Sequence, residues 1–340
     1  MLKFINKKFL GILISFAFIG IIVSQIDINK TISSFGLMNP LYILPIIPVY
    51  MMAFVIRAFR WRIFLCNKTL KFNSLLSSIF VGFSLNCVLP ARAGEIYRAY
   101  FFSKKENLDK TKVFTSVILE RIFDGLTLFM ILFGAICLIS PGTLFFKIAF
   151  SAGLIFIGGF SLLLILVKMQ KAGDKREKIK QFLLQTAEKL PLKIKKMTKK
   201  WIKKLFSILN SFIEGLVALN SYKLLMKSVF YSFLIWLMEG TFIFLVIKSF
   251  GVDISLLSAL LVLAVTAFST LIPAGPAGIG PYQWGYIIAL KVFGITPELG
   301  LAISVINQIL VIILVLSAGL LFIWKDHIKL DEIQQNLQKT

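Results

Sequence analysis

Apolar residues fall into nine long stretches, separated by shorter polar segments. Most are close to the length that crosses the hydrocarbon core of a bilayer, roughly 20 residues of α-helix. The pattern therefore predicts membrane helices. No small-residue cleavage site follows the first stretch, so it is predicted to be a retained helix and not a signal peptide. The stretches are 9–25, 41–60, 74–90, 113–139, 145–168, 228–247, 254–272, 282–294 and 299–324.

The composition agrees with this pattern. Hydrophobic residues make up 58% of the 340 residues, and the mean hydropathy is +0.86; soluble domains contain roughly 45–50% apolar residues. The net charge of +22 indicates anionic lipid rather than nucleic acid as the electrostatic partner. A single histidine and three scattered cysteines exclude a clustered His/Cys metal site and a disulfide framework, and they argue against a Ser-His-Asp site. No catalytic residue, metal or cofactor is predicted.

Basic residues in the short loops predict the orientation. Lysines ahead of the first stretch and after the last one place both termini in the cytoplasm, and the chain is expected in the plasma (inner) membrane. Arg57 and Arg60 are interpreted as part of the cytoplasmic charge that ends the second stretch. The terminal lysines are Lys3, Lys7, Lys8, Lys325 and Lys329.

Two segments fit this orientation only as re-entrant hairpins. If 74–90 crossed fully, six basic residues between 92 and 112 would lie outside, so 74–103 is predicted to enter, turn at Pro90 to Gly94, and return. Segment 254–294 starts and ends outside, and the Pro- and Gly-rich run 273–281 interrupts it. The predicted fold class is an all-α polytopic membrane protein of about six spanning helices plus two re-entrant helical hairpins.

The two halves of the chain match at a constant offset. Adding 186 carries 41–60 onto 227–246, 113–139 onto 299–325, and the first hairpin's turn onto the second. We interpret this as an inverted repeat within a single membrane domain, 1–340, with halves 1–139 and 145–327. The offset does not carry the first stretch, 9–25, onto a counterpart. Its equivalent in the second half would be 145–168. The alternative is a chance match between apolar helices.

Ionisable residues inside the predicted membrane segments are the main candidates for a functional site, because such groups are costly there. Six of them could form a neutral network that holds the first hairpin against 113–139. They could equally bind a lipid head group, since a guanidinium binds phosphate bidentately. Both interpretations stay open. The six candidates are Arg92, Glu95, Arg98, Glu120, Arg121 and Asp124.

Other polar residues are weaker candidates. The tip of the second hairpin, Pro276, Gly278 and Gly280, is expected to offer free N–H groups to an anion. Four further side chains could line the same cavity or only form hydrogen bonds between helices. They are Asn86, Glu239, Asn307 and Gln308.

The segment 169–227 is predicted to be a basic cytoplasmic insertion. Apolar residues at helical spacing, among them Met197, Trp201, Leu205 and Ile208, are surrounded by lysines, which indicates an amphipathic helix. The helix could lie in the plane of an anionic leaflet, or it could serve only as a positive anchor.

Three motifs together resemble the flippase-like transmembrane family of lysylphosphatidylglycerol synthetases. They are N-x3-P-x-R-x-G-E-x2-R at 86–98, E-R-x2-D at 120–124 and P-x-G-I-G at 276–280. The resemblance implies a polytopic domain that binds lipid and moves it between leaflets, here without the soluble aminoacyl-transfer domain of some relatives. The chain has Ala277 where members often have glycine, and an additional Pro273-Ala274-Gly275 precedes it.

The leading hypothesis is therefore a lipid translocase or lipid-binding transporter. Its substrate would be an anionic or aminoacylated phospholipid, or a polyprenyl-phosphate-linked lipid. The alternatives are a membrane enzyme or enzyme subunit that transfers an aminoacyl or sugar group to a lipid carrier, and a scaffold in which the charges serve packing alone. A separate lipid-modifying enzyme and a second copy of the chain are possible partners, whereas nucleic acid is not expected.

Overall fold

The computed structural model describes residues 2–67, 69–89, 92–171, 173–188 and 192–328, and these residues form helices without a strand. The helices are α1 (Leu2–Val23), α2 (Ile28–Phe35), α3 (Ile43–Phe64), α4 (Phe72–Val88), α5 (Ala93–Lys105), α6 (Lys110–Ile139), α7 (Thr143–Lys171), α8 (Gly173–Glu188), α9 (Leu192–Gly215), α10 (Tyr222–Ser249), α11 (Leu256–Ser269), α12 (Pro281–Lys291) and α13 (Pro297–Lys325).

Five of these helices are long and apolar enough to cross a membrane. They are α3, α6, α7, α10 and α13. The segment 13–23 of α1 and the helix α2 form a sixth candidate, which bends by 94° between the two helices. After this break the Asp27 side chain caps the start of α2, where it accepts hydrogen bonds from two backbone N–H groups. The predicted all-α, polytopic fold class is confirmed.

The predicted hairpins correspond to two pairs of shorter helices, α4 with α5 and α11 with α12. The longest arm, α4, has 17 residues, about 26 Å at 1.5 Å per residue, and so falls short of a 30 Å hydrocarbon core. Gly82 and Gly94 let the first pair approach closely, since a Cβ on Gly94 would lie 2.0 Å from the Gly82 carbonyl oxygen. Pro90 and Ala91 at its turn lie outside the described residues. Re-entry from one face of the membrane stays a prediction for both pairs.

Helices that correspond at the offset of 186 also have similar bounds along the chain. The offset carries α3, α4, α5 and α6 onto α10, α11, α12 and α13, with bounds that agree within a few residues at most ends. The equivalent helices α3 and α10 pack antiparallel, as their contacts show. This arrangement supports the inverted repeat, which we keep as a proposal. The contacts pair Asn39 with Ser249, Tyr50 with Phe242, Arg57 with Glu239 and Arg60 with Ser232.

The helices α1 and α7 pack against helices that are not equivalent under the offset. α1 lies against α12, where the Ser15 hydroxyl donates to the Ile279 carbonyl and accepts from the Gly275 N–H. In contrast, α7 packs mainly against α6 and touches α11. The offset therefore relates α3–α6 to α10–α13 and leaves these two helices outside.

The end of the second predicted stretch differs from the expectation. α3 continues to Phe64, and Arg57 and Arg60 lie inside it with 2% and 0% of their surfaces exposed. The interpretation of these two arginines as cytoplasmic loop charges is wrong. Carboxylates on neighbouring helices neutralise them, so the helix can bury them.

The insertion contains two helices, α8 and α9, which pack against each other. α9 also packs on α6, where Lys112 forms an ion pair with Glu214 at 2.7 Å. Trp201, Leu205 and Ile208 follow one exposed side of α9. The predicted helical spacing is therefore present, and the side chain of Met197 lies outside the described residues.

Candidate functional site

Buried charges on α3, α5 and α6 meet inside the bundle. Arg60 lies 2.7 Å from Asp124 and 3.5 Å from Glu120, and it donates to the Ser232 hydroxyl at 2.7 Å. Arg98 forms an ion pair with the other oxygen of Glu120. These side chains are almost completely inaccessible. This part of the network fixes α5 and α3 to α6.

A polar cavity of about 390 Å³ borders that network. It lies where the two halves meet, with residues of α3, α5 and α6 from the first half and residues of α7 and α10 to α13 from the second. Hydrophobic and aromatic side chains, including Trp236 and Phe242, form much of the wall. The charged residues of the wall are Arg92, Glu95, Arg121, Asp124 and Glu239.

Arg121 is held between two carboxylates on the cavity wall. Its Nε lies 3.4 Å from Glu95, and its Nη1 lies 3.5 Å from Asp124 one turn along the same helix. The Nη2 atom of Arg121 and the Oδ2 atom of Asp124 are buried without a hydrogen-bond partner. A donor and an acceptor with unused hydrogen-bonding capacity therefore lie just beneath the surface of the wall.

Glu239 lies in the cavity wall and forms an ion pair at 2.7 Å with Arg57, which lies behind it. The Arg57 guanidinium also lies 5.4–5.7 Å from the ring centroids of Phe54, Phe83 and Trp236, which surround it with aromatic faces.

The sequence pattern did not identify Arg57 and Arg60 as members of the buried charge network. Their spacing of three residues within an apolar run was the signal, because it places both on one face of a helix.

Arg92 differs from the other arginines of the site. It stands at the turn before α5 with a left-handed φ of 54° and is exposed. Its Nη2 donates to the Thr270 hydroxyl at 3.3 Å, which links the first hairpin to the end of α11 in the second. Among the described residues, no carboxylate lies within ion-pairing distance of Arg92.

The six predicted charges thus separate into two groups. Arg92, Glu95, Arg121 and Asp124 line the cavity, whereas Arg98 and Glu120 are paired behind its wall. Arg98 pairs with Glu120, and Arg121 pairs with Glu95 and Asp124, so five of the six charges do form a network between the first hairpin and α6.

The weaker candidates also divide. Glu239 and Asn307 line the cavity, and Asn307 donates to the Tyr282 hydroxyl at 2.5 Å. Asn86 instead accepts from the Gly94 N–H at 2.8 Å, so it braces the first hairpin. Gln308 donates to the Ala277 carbonyl at 2.9 Å and braces the second.

The tip of the second hairpin does not offer the free glycine N–H groups that the sequence predicted. Pro276, Gly278 and Gly280 do not line the cavity. The Gly278 N–H donates to Gly275, and the Gly280 N–H donates to the Gln283 side chain at 2.7 Å. The expectation of free N–H groups is wrong for both glycines, because the tip folds back on itself and α12 begins with a proline that has no N–H.

The cavity wall offers cations, carboxylates and aromatic faces, which are groups that recognise phosphate and ammonium. Within the part of the chain that the structure describes, no group of three His, Cys, Asp or Glu side chains is placed to hold a metal ion.

A family comparison covers nearly the whole chain. The model of the lysylphosphatidylglycerol synthase TM region matches residues 8–319, which include the described helices that form the cavity. The chain belongs to this family. The resemblance inferred from the three motifs is confirmed, and no solved structure matches the chain.

Relatives of similar length are UPF0104 membrane proteins. A UPF0104 membrane protein of Methanocaldococcus jannaschii is 25% identical over 323 residues, covering 91% of this chain and 92% of the relative. One from Pyrococcus horikoshii is 26% identical over 89% of this chain and 92% of its own length. The glycosyltransferase AglD of Haloferax volcanii is 30% identical over 120 residues, which cover 35% of this chain and 19% of that protein. The chain is thus a multi-pass membrane protein of this family.

Proposed function

We propose that this chain is a lipid translocase or lipid-binding transporter whose central cavity holds a phospholipid head group. The observation that carries the proposal is the unpaired charge of Arg92 at the cavity. The cavity wall and the buried network behind it together contain five arginines and four carboxylates, so one positive charge has no counter-ion among them. The negative charge of a bound anionic ligand would supply the missing counter-ion.

Phosphate suits this position for geometric reasons. A guanidinium binds a phosphate through two parallel hydrogen bonds, and such charge-assisted bonds are about twice as strong as neutral ones. Arg92 supplies one guanidinium with a single weak hydrogen bond, and Arg121 supplies a buried Nη2 without an acceptor. Because both line the same cavity, they can serve neighbouring oxygens of one phosphate.

The opposite wall suits the rest of a polar head group. Glu239 is 17% exposed at its side chain and stands among Tyr50, Trp236 and Tyr282. A carboxylate beside aromatic faces accepts hydroxyl or ammonium groups. An anionic or aminoacylated phospholipid, or a polyprenyl-phosphate-linked lipid, carries phosphate and such groups together.

The membrane arrangement is part of the proposal. We infer that the chain lies in the plasma membrane with both termini cytoplasmic, and that the two hairpins re-enter from opposite faces. The contact between Arg92 and Thr270 supports a meeting of the two hairpins beside the cavity. Broken helices that meet in this way are typical of secondary transporters with inverted repeats.

The test is lipid translocation by purified protein in liposomes of phosphatidylcholine with fluorescent phosphatidylglycerol. Arg92→Ala should lower the rate roughly 10- to 100-fold, the effect of losing a charge-assisted hydrogen bond of about 1.5–3 kcal/mol. Lys147→Ala, an exposed cation on α7, is the matched control and should retain the rate. Equal rates for wild type and Arg92→Ala would overturn the assignment, provided that both elute as monodisperse protein.

A second candidate is a membrane enzyme or enzyme subunit that transfers a group to a lipid carrier. The partial similarity to a glycosyltransferase favours it, with Glu95 or Asp124 as base. Mass spectrometry of lipids incubated with the protein and sugar or aminoacyl donors separates the candidates. A new lipid product that depends on Asp124 supports the enzyme, and unchanged lipid supports the transporter.

A further inference from the structure

A second concave surface lies beside the polar cavity, on the outer side of α6 and α7. It is an apolar groove of about 500 Å³, and we call it the α6–α7 groove. Phe129 and Phe133 of α6 form one wall, and Phe150, Leu154 and Ile157 of α7 form the other. No charged side chain is among the residues that line it.

One aromatic side chain stands between this groove and the polar cavity. Phe156 lines the cavity, while its neighbours on α7, Gly153 and Ile157, line the groove. The Phe156 ring lies over Gly125 of α6 so closely that a Cβ there would fall 2.0 Å from the ring. The next turn of α6 after Gly125 carries Phe129, which belongs to the groove. The two spaces are thus adjacent and separated by Phe156.

The groove lies on the outer surface of α7, which is the least buried of the five single-helix spans. In its most apolar stretch 22% of α7 is buried, compared with 39–44% in the other four single-helix spans. Such a surface lies against hydrocarbon. From Phe146 to Ile157 the α7 side of the groove is about 17 Å long at 1.5 Å per residue. This length suits a single fatty acyl chain and is a fraction of the length of a polyprenyl chain.

We propose that the α6–α7 groove holds one acyl chain of the phospholipid whose phosphate binds at Arg92 and Arg121, with Phe156 as the partition between chain and head group. The inference rests on the proposed function, which places the head group in the cavity. The groove then keeps one chain in an apolar environment while the head group enters the polar cavity. Its length favours a glycerophospholipid over a polyprenyl lipid as the substrate.

Gly158 offers a substitution that fills the groove without disturbing the helices. It lines the groove, and a Cβ there would meet no atom within 4 Å. Gly158→Leu should slow phosphatidylglycerol translocation about tenfold, the effect of excluding roughly two methylene groups from an apolar site. Gly20→Leu in α1 is the matched control, since its Cβ also meets open space, and it should keep the wild-type rate.

Photolabelling supplies a readout that does not depend on transport. The probe is phosphatidylglycerol with a diazirine in one acyl chain, reconstituted in phosphatidylcholine vesicles, with adducts mapped by mass spectrometry. We expect adducts at Phe129, Phe133 and Leu154 to exceed those at the exposed Leu320 and Leu321 of α13. Gly158→Leu and Arg92→Gln should both remove this excess.

The outcomes separate the two proposals. Equal labelling of the groove and α13, or translocation by Gly158→Leu at the wild-type rate, overturns the groove proposal and leaves the transporter proposal standing. Excess labelling that Gly158→Leu removes, in a wild-type protein that does not translocate lipid, supports the groove as an acyl-chain site and contradicts the transporter. Excess labelling by a photoreactive polyprenyl phosphate, but not by the phospholipid, overturns the proposed substrate class.

Discussion

The two helical hairpins have similar backbones, but different chemistry holds each in place. In the first hairpin, charged pairs tie α5 to α6: Arg98 pairs with Glu120, and Glu95 lies 3.4 Å from Arg121. Such pairs are stable inside a bundle only while every charge keeps its partner. The first hairpin is therefore held by strong interactions that depend on one another.

The second hairpin is held by neutral groups. Gln283 donates to Gln308 at 2.5 Å, and Gln308 donates to the Ala277 carbonyl at 2.9 Å. At the offset of 186, Asn307 takes the place of Arg121, and both line the cavity. Two helical pairs with similar bounds therefore do not need the same charges to be held in the bundle. The charge in the first half is available for a ligand, while the second half supplies a neutral counterpart.

Removal of Glu120 should have the largest effect, because Arg60 and Arg98 would both lose a counter-ion at fully buried positions. We expect Glu120→Leu to lower the free energy of unfolding by about 3–5 kcal/mol. The measurement is SDS titration in mixed micelles. Glu298→Gln, which changes an exposed carboxylate at the start of α13, is the control and should cost less than about 1 kcal/mol. Similar losses in both variants would contradict the ionic account of the first hairpin.

Loss of the amide hydrogen bonds of Gln308 should lower the free energy of unfolding by a smaller amount. Gln308→Leu removes the donor to Ala277 and the acceptor for Gln283, and we expect a loss of about 1–3 kcal/mol in the same titration. Gln25→Leu, at an exposed position, should change the free energy of unfolding by less than about 0.5 kcal/mol. A loss as large as that of Glu120→Leu would show that the amide hydrogen bonds of the second hairpin stabilise the protein as much as the ion pairs of the first.

The contact between the hairpins should contribute least to stability. Thr270→Val removes the acceptor of the 3.3 Å hydrogen bond from Arg92, and we expect a loss of about 0.5–1 kcal/mol. Thr241→Val, whose hydroxyl bonds to a backbone carbonyl within α10, controls for the loss of a hydroxyl. A substantially larger loss for Thr270→Val would mean that the hairpins stabilise each other and do not merely touch.

Much of the fold could be predicted from the sequence, because membrane helices follow from the length of apolar runs. The helices α6 and α13 and the two short helical pairs are found close to where the pattern placed them. The family followed from three motifs and is confirmed. The 94° break between α1 and α2, after which Asp27 caps α2, was not predicted.

The apolar runs establish a helical membrane protein, and the charges within them are the residues that bilayer energetics make costly. Which of those charges face the cavity depends on tertiary contacts. Arg98 and Glu120 neutralise each other behind the wall, and Arg57 and Arg60, which the sequence pattern placed among the cytoplasmic charges, pair with carboxylates beside the cavity. The cost of a buried charge depends on its partners, and here those partners lie on helices distant in the sequence.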